Sequence, residues 1–473
     1  YRDSTVGGVP NTLTQVDIYN SSVTGINDVV YTAGWINDTW KLNSRLTLNL
    51  GVRIENYKDQ WPDQSLVPNG QPALAGWTDP RWTSFIAPKD VLATTVSNTT
   101  TLAPKVGFAY DLFGDNRTVI KGFIGQSRWN SADTLADGEN PVGLGQLRYA
   151  FVSCTAGQTS GCDLNGDRLV SSPNELGAFQ STQGNAGNVR VDRSIIRPTT
   201  NEVSLNLERE IANGLSGRAS WVYKNLRNVW GEIDVAREPL YTVPFTINDP
   251  GADRVVGTAD DQTFQTRALP TTGVGTDRVY TNSDTGDADF HTMEFAVNRR
   301  FSGKWMFLGS FGYTWSTMIH SATAGRTGIA YRPFDLMWGD NGRETSTVWN
   351  YKLVGRYVLP YEIGFSGSWK VQSGFNYGRT ISVTMPTEGA RTIRVEPITN
   401  NRLPSVGILD FRLDKTIDIG KAGRITPMLD IFNIMNSGVP TTIRTTNTAT
   451  GPFEDVTAIL NPRLIRFGFR YSF

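Results

Sequence analysis

Apolar and polar residues alternate along many segments of this chain, with the period of two that is typical of β-strands. The last ten residues show the pattern most clearly, because one set of alternate positions is aromatic or apolar while the other carries Arg466 and Arg470. The apolar set is Ile465, Phe467, Phe469, Tyr471 and Phe473. Such a strand fits a wall that faces lipid on one side and a polar interior on the other.

Similar alternation recurs in earlier segments. They are 44–55, 202–208, 304–316, 346–359 and 361–373. A soluble sandwich also has alternating strands, but these usually contain about five or six residues. A tilted strand needs about 9–11 residues to cross a bilayer, and many of these segments are that long. The pattern therefore favours a membrane barrel over a soluble all-β protein.

Short turns rich in Gly, Asn, Asp and Pro alternate with long polar stretches. The turns are 41–44, 113–116, 212–214, 302–303, 360–361 and 420–423. The long stretches are about 60–98, 131–198, 230–286, 318–346, 378–403 and 436–456. This asymmetry is typical of bacterial outer-membrane barrels, whose short turns are periplasmic and whose long loops lie outside the cell.

We therefore predict that residues 1–473 form an all-β, transmembrane antiparallel β-barrel of about fourteen strands with long extracellular loops. The strands are expected to begin near 12, 28, 44, 99, 116, 199, 214, 287, 303, 346, 361, 404, 422 and 460. The even count agrees with a final strand that ends on the short-turn side, in the periplasm.

Composition narrows the class of protein further. The mean hydropathy is −0.30 and 39% of the residues are hydrophobic, which suits a barrel because only alternate strand positions need be apolar. No apolar run is long enough for a membrane helix. The net charge of zero does not favour a nucleic-acid partner. With two histidines and no nucleophile or nucleotide-binding motif, we predict that the chain is not an enzyme.

The two cysteines, Cys154 and Cys162, are separated by seven residues rich in Gly, Ser and Thr. A loop of this length can close as a disulfide in an oxidising compartment. Two free thiols are the alternative, and the spacing favours the disulfide.

Two loop segments have oxygen-bearing side chains at the spacing of calcium loops, 163–175 and 249–261. The candidate ligands are Asp163, Asn165, Asp167, Ser171, Glu175, Asp249, Asp253, Asp260 and Asp261. Both segments depart from the EF-hand pattern, because Arg168 and Arg254 replace the glycine at position six. Simple turn formation by Asp, Asn and Gly is the alternative. We predict structural calcium that orders extracellular loops.

Charges on the polar parity of the strands are mixed in sign. They are Arg45, Arg53, Glu55, Glu202, Glu208, Lys304, Lys352, Arg356, Glu362, Lys370, Arg466 and Arg470. Because neither sign dominates, we favour a solvated lumen wall, or a wall in contact with a plug, over a substrate path.

Several segments, taken in order, resemble the barrel of TonB-dependent outer-membrane transporters, especially the Oar-like group. They are 35–40 (WINDTW), 45–53 (RLTLNLGVR), 409–415 (LDFRLDK), 430–436 (DIFNIMN) and 461–473 (NPRLIRFGFRYSF). The resemblance implies a 22-stranded barrel filled by an N-terminal plug that responds to TonB. No plug or TonB box is recognisable here, and the chain starts at Tyr1 without a signal peptide, so we expect a fragment or a processed chain.

The aromatic end of the chain also resembles the C-terminal signal of outer-membrane barrels, which implies recognition by the barrel-assembly machinery. The signal residues are Phe467, Phe469, Tyr471 and Phe473. We predict an outer-membrane receptor that takes up an unknown extracellular substrate through a plugged barrel, energised via TonB. The alternatives are a passive fourteen-stranded channel and a surface adhesion or structural barrel.

Overall fold

The structure of the chain is a computed structural model. It describes residues 2–6, 9–19, 24–66, 80–81, 89–129, 132–143, 145–184, 189–270, 277–283, 286–319, 343–387, 389–399, 401–446 and 452–473. Strands dominate these residues, beside the α-helix Thr134–Glu139 and two helical residues at 80–81. Short 3-10 turns occur at Pro173–Glu175, Glu238–Leu240, Pro360–Glu362 and Gly420–Ala422. Within the described residues no helix has the length and hydropathy needed to cross a bilayer.

A single antiparallel sheet of fourteen strands carries most of the chain, and paired strands follow chain order except that Val406–Lys415 and Ile417–Asp418 both pair with Arg424–Phe432. They are Asp28–Lys41, Leu46–Trp61, Thr94–Asp111, Thr118–Arg128, Thr199–Ala212, Leu215–Arg227, Ala288–Ser302, Trp305–Ile319, Arg343–Val358, Ile363–Gln372, Val406–Lys415, Ile417–Asp418, Arg424–Phe432 and Leu464–Ser472. The predicted all-β fold class is confirmed. Among the described strands the two outermost, Asp28–Lys41 and Leu464–Ser472, each pair with one neighbour, so the sheet is open between them.

The prediction that a strand beginning near residue 12 belongs to this sheet is wrong. Val9–Tyr19 is a strand, but it pairs with Arg2–Val6 and Gly145–Ala150 in a separate sheet. The fourteenth strand is instead the short Ile417–Asp418, which pairs with the start of Arg424–Phe432. The physical reason is orientation: Asp28–Lys41 runs toward the turn at 42–45, so the residues before it lie on the loop side of the sheet.

The sheet has one apolar and one polar face. One cross-strand row of the apolar face runs through Tyr357, Phe365, Leu413, Leu429 and Phe467. Phe467 is 79% exposed and Phe469 is 77% exposed, so these aromatic rings are free to contact lipid. The next row on the opposite face runs through Arg356, Ser366, Arg412, Asp430 and Arg466. The register therefore places Arg466 on the polar side, as the alternation predicts.

Short turns connect the strands at one end of the sheet, as shown by the turn after Asp111. Its carboxylate accepts the backbone N–H groups of Gly114 and Asn116, at 2.9 and 2.8 Å. Asn116 has φ of 58°, a left-handed conformation that Asn tolerates better than most residues. Asp111 thus supplies partners for backbone donors that the hairpin leaves unpaired.

Long connections at the other end contain smaller sheets. A four-stranded sheet comprises Arg2–Val6, Val9–Tyr19, Gly145–Ala150 and Phe179–Gly184, and a three-stranded sheet comprises Val189–Val191, Val229–Asp234 and Arg278–Ser283. Five pairs complete the set: Gln64–Leu66 with Lys89–Val91, Val243–Asp249 with Gln262–Ala268, Asn376–Tyr377 with Asn401–Arg402, Thr380–Met385 with Gly389–Arg394, and Pro440–Ile443 with Val456–Ile459. Most of the predicted loop 318–346, with His320, lies outside the described residues.

Candidate functional site

The upper limit of the apolar face is visible on strand Leu46–Trp61. Ile54 is exposed and apolar, but the next residue of the same face, Asn56, donates to Asn98 and Thr100 at 2.9 and 3.0 Å. Lys58 follows on the same parity. Amide pairs and an ammonium belong in water rather than in hydrocarbon. The strand therefore continues beyond the apolar band on the loop side.

The opposite face of this extension is buried by the connection 129–198. Arg197 is 1% exposed and donates to Asp59, which is fully buried. The Arg197 guanidinium also lies over the rings of Tyr57 and Trp230, at 4.4 and 5.3 Å from their centroids. A buried charge requires such a partner, so this ion pair fastens the connection to the polar face at the mouth of the sheet.

A second group of buried residues, which we call the N-terminal body, comprises residues 13–19 and 145–184. Its core contains Leu13, Val16, Ile18, Leu147, Tyr149 and Phe151. Arg148 donates to Asp17 at 2.7 Å. Hydrogen bonding to Arg148, opposed by burial, holds the pKa of the Asp17 carboxyl below its usual range. Two segments far apart in the chain therefore fold as one unit.

The predicted disulfide is confirmed within the N-terminal body. Cys154 and Cys162 are bonded, with their Cα atoms 5.0 Å apart. Backbone contacts continue the link, because Asp163 donates its N–H to the Val152 carbonyl at 2.8 Å. The disulfide thus stands directly before the first candidate calcium loop.

The first candidate loop, 163–175, is closed by hydrogen bonds. Asp163 accepts the N–H groups of Gly166 and Arg168, both at 2.9 Å. Glu175 is 2% exposed and accepts from Ser171 N–H at 2.7 Å. Burial opposes ionisation of Glu175, but hydrogen bonds from Ser171 and other groups outweigh it and lower its pKa.

The remaining candidates of this loop lie at its surface. Asn165 accepts from Asp167 N–H at 3.0 Å, and its side-chain amide lies 2.9 Å from an Asp167 oxygen and 3.5 Å from the Ser171 hydroxyl. Within the described residues, no three or more His, Cys, Asp or Glu side chains form a group that could hold a metal. The oxygens are close in space, and calcium at this loop stays a prediction.

The second candidate loop, 249–261, has a different arrangement. Asp249 is 1% exposed, and both of its oxygens accept from Arg379, at 2.6 and 2.5 Å. Arg379 also donates to the Gly251 carbonyl and to Glu396, each at 3.2 Å. A guanidinium therefore occupies the place expected for a cation beside Asp249.

The other acids of the second loop shape its turns. Asp253 accepts from Val255 N–H at 2.8 Å, and Asp261 accepts from Gly257 N–H at 2.6 Å. Asp260 accepts from the Thr258 hydroxyl, its largest influence, and from Ala252 N–H, each at 2.7 Å, and these bonds lower the pKa of Asp260. Calcium here stays a prediction, with Asp253, Asp260 and Asp261 as its remaining ligand candidates.

Arg379 links two hairpins that form what we call the hairpin body, residues 243–268 and 380–395. Their shared core contains Ile247, Ala268, Ile381, Met385, Ile393 and Val395. Beside it lies a cleft of about 450 Å³, lined by Phe245, Ile247, Ile381, Val383, Ser382 and Arg254 among others. The cleft is open to solvent, and its lining combines apolar side chains with the polar groups of Ser382 and Arg254.

A third connection joins the hairpin body. Tyr377 donates to Glu454 at 2.8 Å, and its ring lies 6.1 Å from that of Phe453. Burial first, and then the Glu454 carboxylate, raise the pKa of Tyr377 to about 12. Thr380 donates to the Thr445 carbonyl at 3.2 Å. Three long connections therefore meet around one core.

Cross-strand ion pairs cover much of the polar face of the large sheet. They are Lys121–Glu208 at 2.7 Å, Arg218–Glu294 at 2.6 Å, Lys224–Glu202 at 3.0 Å, Arg356–Asp414 at 2.6 Å, Arg412–Asp430 at 2.5 Å and Arg466–Asp430 at 2.7 Å. The positive and negative side chains of mixed sign on this face therefore neutralise each other in local pairs. Sequence reasoning missed these partners because alternation within one strand does not show which residue lies opposite on the next strand. It missed Arg197 and Arg379 because their partners are remote in the chain.

The family model of the outer membrane beta barrel domain matches residues 4–365. No curated protein matches the sequence.

Solved structures with a similar arrangement include the ferric-catecholate import receptor Fiu from Escherichia coli K12 (12% identity, 94% of this chain, 44% of that chain, TM-score 0.47). They also include the siderophore receptor PiuA from Acinetobacter baumannii (11%, 94%, 44%, 0.47) and the ferric yersiniabactin uptake receptor FyuA from Yersinia pestis (12%, 94%, 46%, 0.44). This chain spans about half the length of these receptors. On the family match, the chain belongs to the outer-membrane β-barrel domain family and is a protein of the bacterial outer membrane.

Proposed function

We propose that this chain forms the wall and outer surface of an outer-membrane receptor that takes up a substrate through a plugged barrel, energised via TonB. The observation that carries the proposal is the covering of the polar face at its loop end. Arg197 fastens one connection across that face, and Arg379 unites two others beside a cleft. A connection fastened to the polar face and a cleft among the loops support capture of a ligand rather than free passage of solutes.

The two open edges of the large sheet also need hydrogen-bond partners in a membrane. Backbone groups at the free edges of Asp28–Lys41 and Leu464–Ser472 would find no hydrogen-bond partners in lipid. We propose that further strands pair with these two edges and complete a larger barrel around a plug. The resemblance of 45–53 and 461–473 to TonB-dependent transporters supports this arrangement.

Conductance of the full-length protein tests the plug. The purified protein is inserted into planar bilayers, and we expect no steady ion current, because a plug fills the lumen. A steady current of uniform size would overturn the proposal in favour of a passive channel. In cells, crosslinking to TonB tests the energy coupling, and absence of any crosslinked product would remove TonB from the proposal.

We also propose that the barrel-assembly machinery recognises the last strand. Phe473 lies at its end, and Phe469 and Tyr471 precede it on the apolar face. Changing Phe473→Ser should lower the amount of protein in the outer membrane, as measured by quantitative immunoblotting of membrane fractions. Ser472→Ala, on the polar face, is the matched control and should leave the amount unchanged.

We propose calcium as a structural ion of loop 163–175, where Asp163 and Glu175 are buried and accept hydrogen bonds from the backbone of the loop. Calcium titration with limited proteolysis tests it, and added calcium should slow cutting within 145–184. Asp167→Asn removes a charged candidate ligand, so calcium should no longer slow the cutting in this variant. Equal cutting with calcium and with chelator would exclude the ion.

A further inference from the structure

Two lysines on the polar face break the pattern of cross-strand ion pairs. Lys352 and Lys370 stand directly opposite each other in the register of strands Arg343–Val358 and Ile363–Gln372. Residues so placed have Cβ atoms about 4.5–5.5 Å apart. Both side chains are exposed, and within the described part of the chain neither forms an ion pair.

The neighbouring strands supply no carboxylate in the same row. Ser310 lies opposite Lys352, and Ile408 lies opposite Lys370. The nearest acid by register is Asp410, which lies opposite Ser368, two residues along the strand from Lys370. One oxygen of Asp410 accepts the backbone N–H of Asn433 at 2.8 Å.

The adjoining residues add further donors. Asn350 lies directly opposite Gln372, one step from the lysines on the same face. Two ammonium groups and two amides can together donate many hydrogen bonds to a single group of oxygens. Arg356 is close in the strand, but Asp414 already holds it at 2.6 Å. Among the described residues no carboxylate forms an ion pair with either lysine, so the patch carries positive charge.

Elsewhere in the wall, a lysine has a carboxylate directly opposite it. Lys224 faces Glu202 directly across strands, with their charged atoms 3.0 Å apart. Like charges placed directly opposite destabilise a sheet, whereas opposite charges stabilise it. The cost of opposing Lys352 and Lys370 is relieved when an anion lies between them.

We propose that Lys352 and Lys370, with Asn350 and Gln372, form a binding site for the oxyanion group of a small solute, a carboxylate or a phosphate, on its way through the barrel. This proposal rests on the proposed function in one respect, since it takes the polar face to line the path of the substrate. It gives that substrate a chemical class, because an uncharged or cationic solute gains nothing from two ammonium groups.

Site-resolved acetylation of lysines tests the proposal. The full-length protein in outer-membrane vesicles is treated with an amine-acetylating reagent, with citrate or with sodium chloride at matched ionic strength, and each lysine is quantified by mass spectrometry. Citrate should slow acetylation of Lys352 and Lys370 several-fold. Lys121 and Lys224 are internal controls, because Glu208 and Glu202 already hold them. Equal rates with citrate and with chloride would overturn the site.

A charge reversal sharpens the test. Lys370→Glu places a carboxylate opposite Lys352 and reproduces the arrangement of Lys224 with Glu202. Citrate should then lose its effect on Lys352, and retained protection would show that the anion binds elsewhere. Lys224→Gln is the matched control, since it removes a wall cation while leaving the lysine pair intact.

A carboxylate from a protein segment that fills the lumen offers the same chemistry from another source. In that case both lysines would react slowly without citrate, citrate would change nothing, and the assignment to a solute would be overturned. The measurement reads binding rather than uptake. A negative result therefore leaves the conductance and TonB tests of the proposed function unaffected.

Discussion

Ion pairs in the loop-side bodies and ion pairs on the polar face of the sheet use the same side chains in different surroundings. Arg379 and Asp249 have side chains 2% and 0% exposed, whereas Arg218 and Glu294 are 44% and 41% exposed. A buried pair holds its surroundings together chiefly because the loss of one partner strands the other in an apolar setting. An exposed pair is screened by water and contributes little. The loops are thus more sensitive to single charge changes than the wall.

The largest expected effect is at Arg379. Arg379→Ala leaves Asp249 buried without its cation, and breaking such a pair costs about 3–5 kcal/mol. We expect the hairpin body to open, with faster proteolysis within 243–268 and 380–394. The double variant Arg379→Met with Asp249→Leu should recover much of the protection, because apolar residues can replace a buried pair. Unchanged proteolysis in Arg379→Ala would show that the pair does not hold the hairpins.

The disulfide comes next in size. Replacing Cys154 and Cys162 by Ala removes a closed loop of nine residues, counting both cysteines, and the chain-entropy relation gives about 2–3 kcal/mol for this length. Hydrogen exchange should increase in 145–184 and stay constant in the hairpin body. An equal increase in both regions would mean that the loop-side bodies do not unfold independently.

Acid should loosen the N-terminal body through Asp17. Hydrogen bonding to Arg148 lowers its folded-state pKa, so its stabilising contribution is complete above the unfolded value of about 3.9 and is lost as pH falls through the lower folded value. Hydrogen exchange in 13–19 should therefore rise below about pH 4. Asp17→Asn should be less protected at neutral pH and should lose this acid dependence.

The smallest effects are expected on the wall. Arg218→Gln breaks an exposed pair and should cost about 0–1 kcal/mol, whereas Lys370→Gln relieves the repulsion with Lys352 and should leave the stability equal or higher. The thermal stabilities of the two variants can be compared by measuring, on gels, the temperature at which the mobility of the barrel changes. A larger loss for Arg218→Gln than for Arg379→Ala would reverse the contrast between wall and loops.

Much of the sheet could be predicted because its information is local. The alternation in 464–472 and in 305–319 places each side chain on one face, and short turns such as 113–116 place neighbouring strands beside each other. Val9–Tyr19 was assigned to the wrong sheet for the same reason. Its alternation is poor, since Leu13, Val16 and Ile18 are buried without sharing one parity, and nothing local shows that its partner lies in a distant connection.

The candidate site was less predictable. Cys154 and Cys162 are close in sequence, so their bond could be inferred. Asp249 could be seen as a ligand for a cation, but its observed partner, Arg379, is remote in the chain. Arg197 and Asp59 are likewise joined only through the folded loops.

The sequence alone determined the fold class, the lipid-facing aromatic face, the asymmetry of turns and loops and the disulfide, because each depends on residues near one another in the chain. Tertiary structure alone decided which charges are neutralised. Lys224 and Lys370 have the same parity on their strands, but register sets Glu202 opposite one and Lys352 opposite the other. The register between paired strands, which the alternation within a single strand does not contain, makes Lys224 part of the wall and Lys370 a candidate for binding an anion.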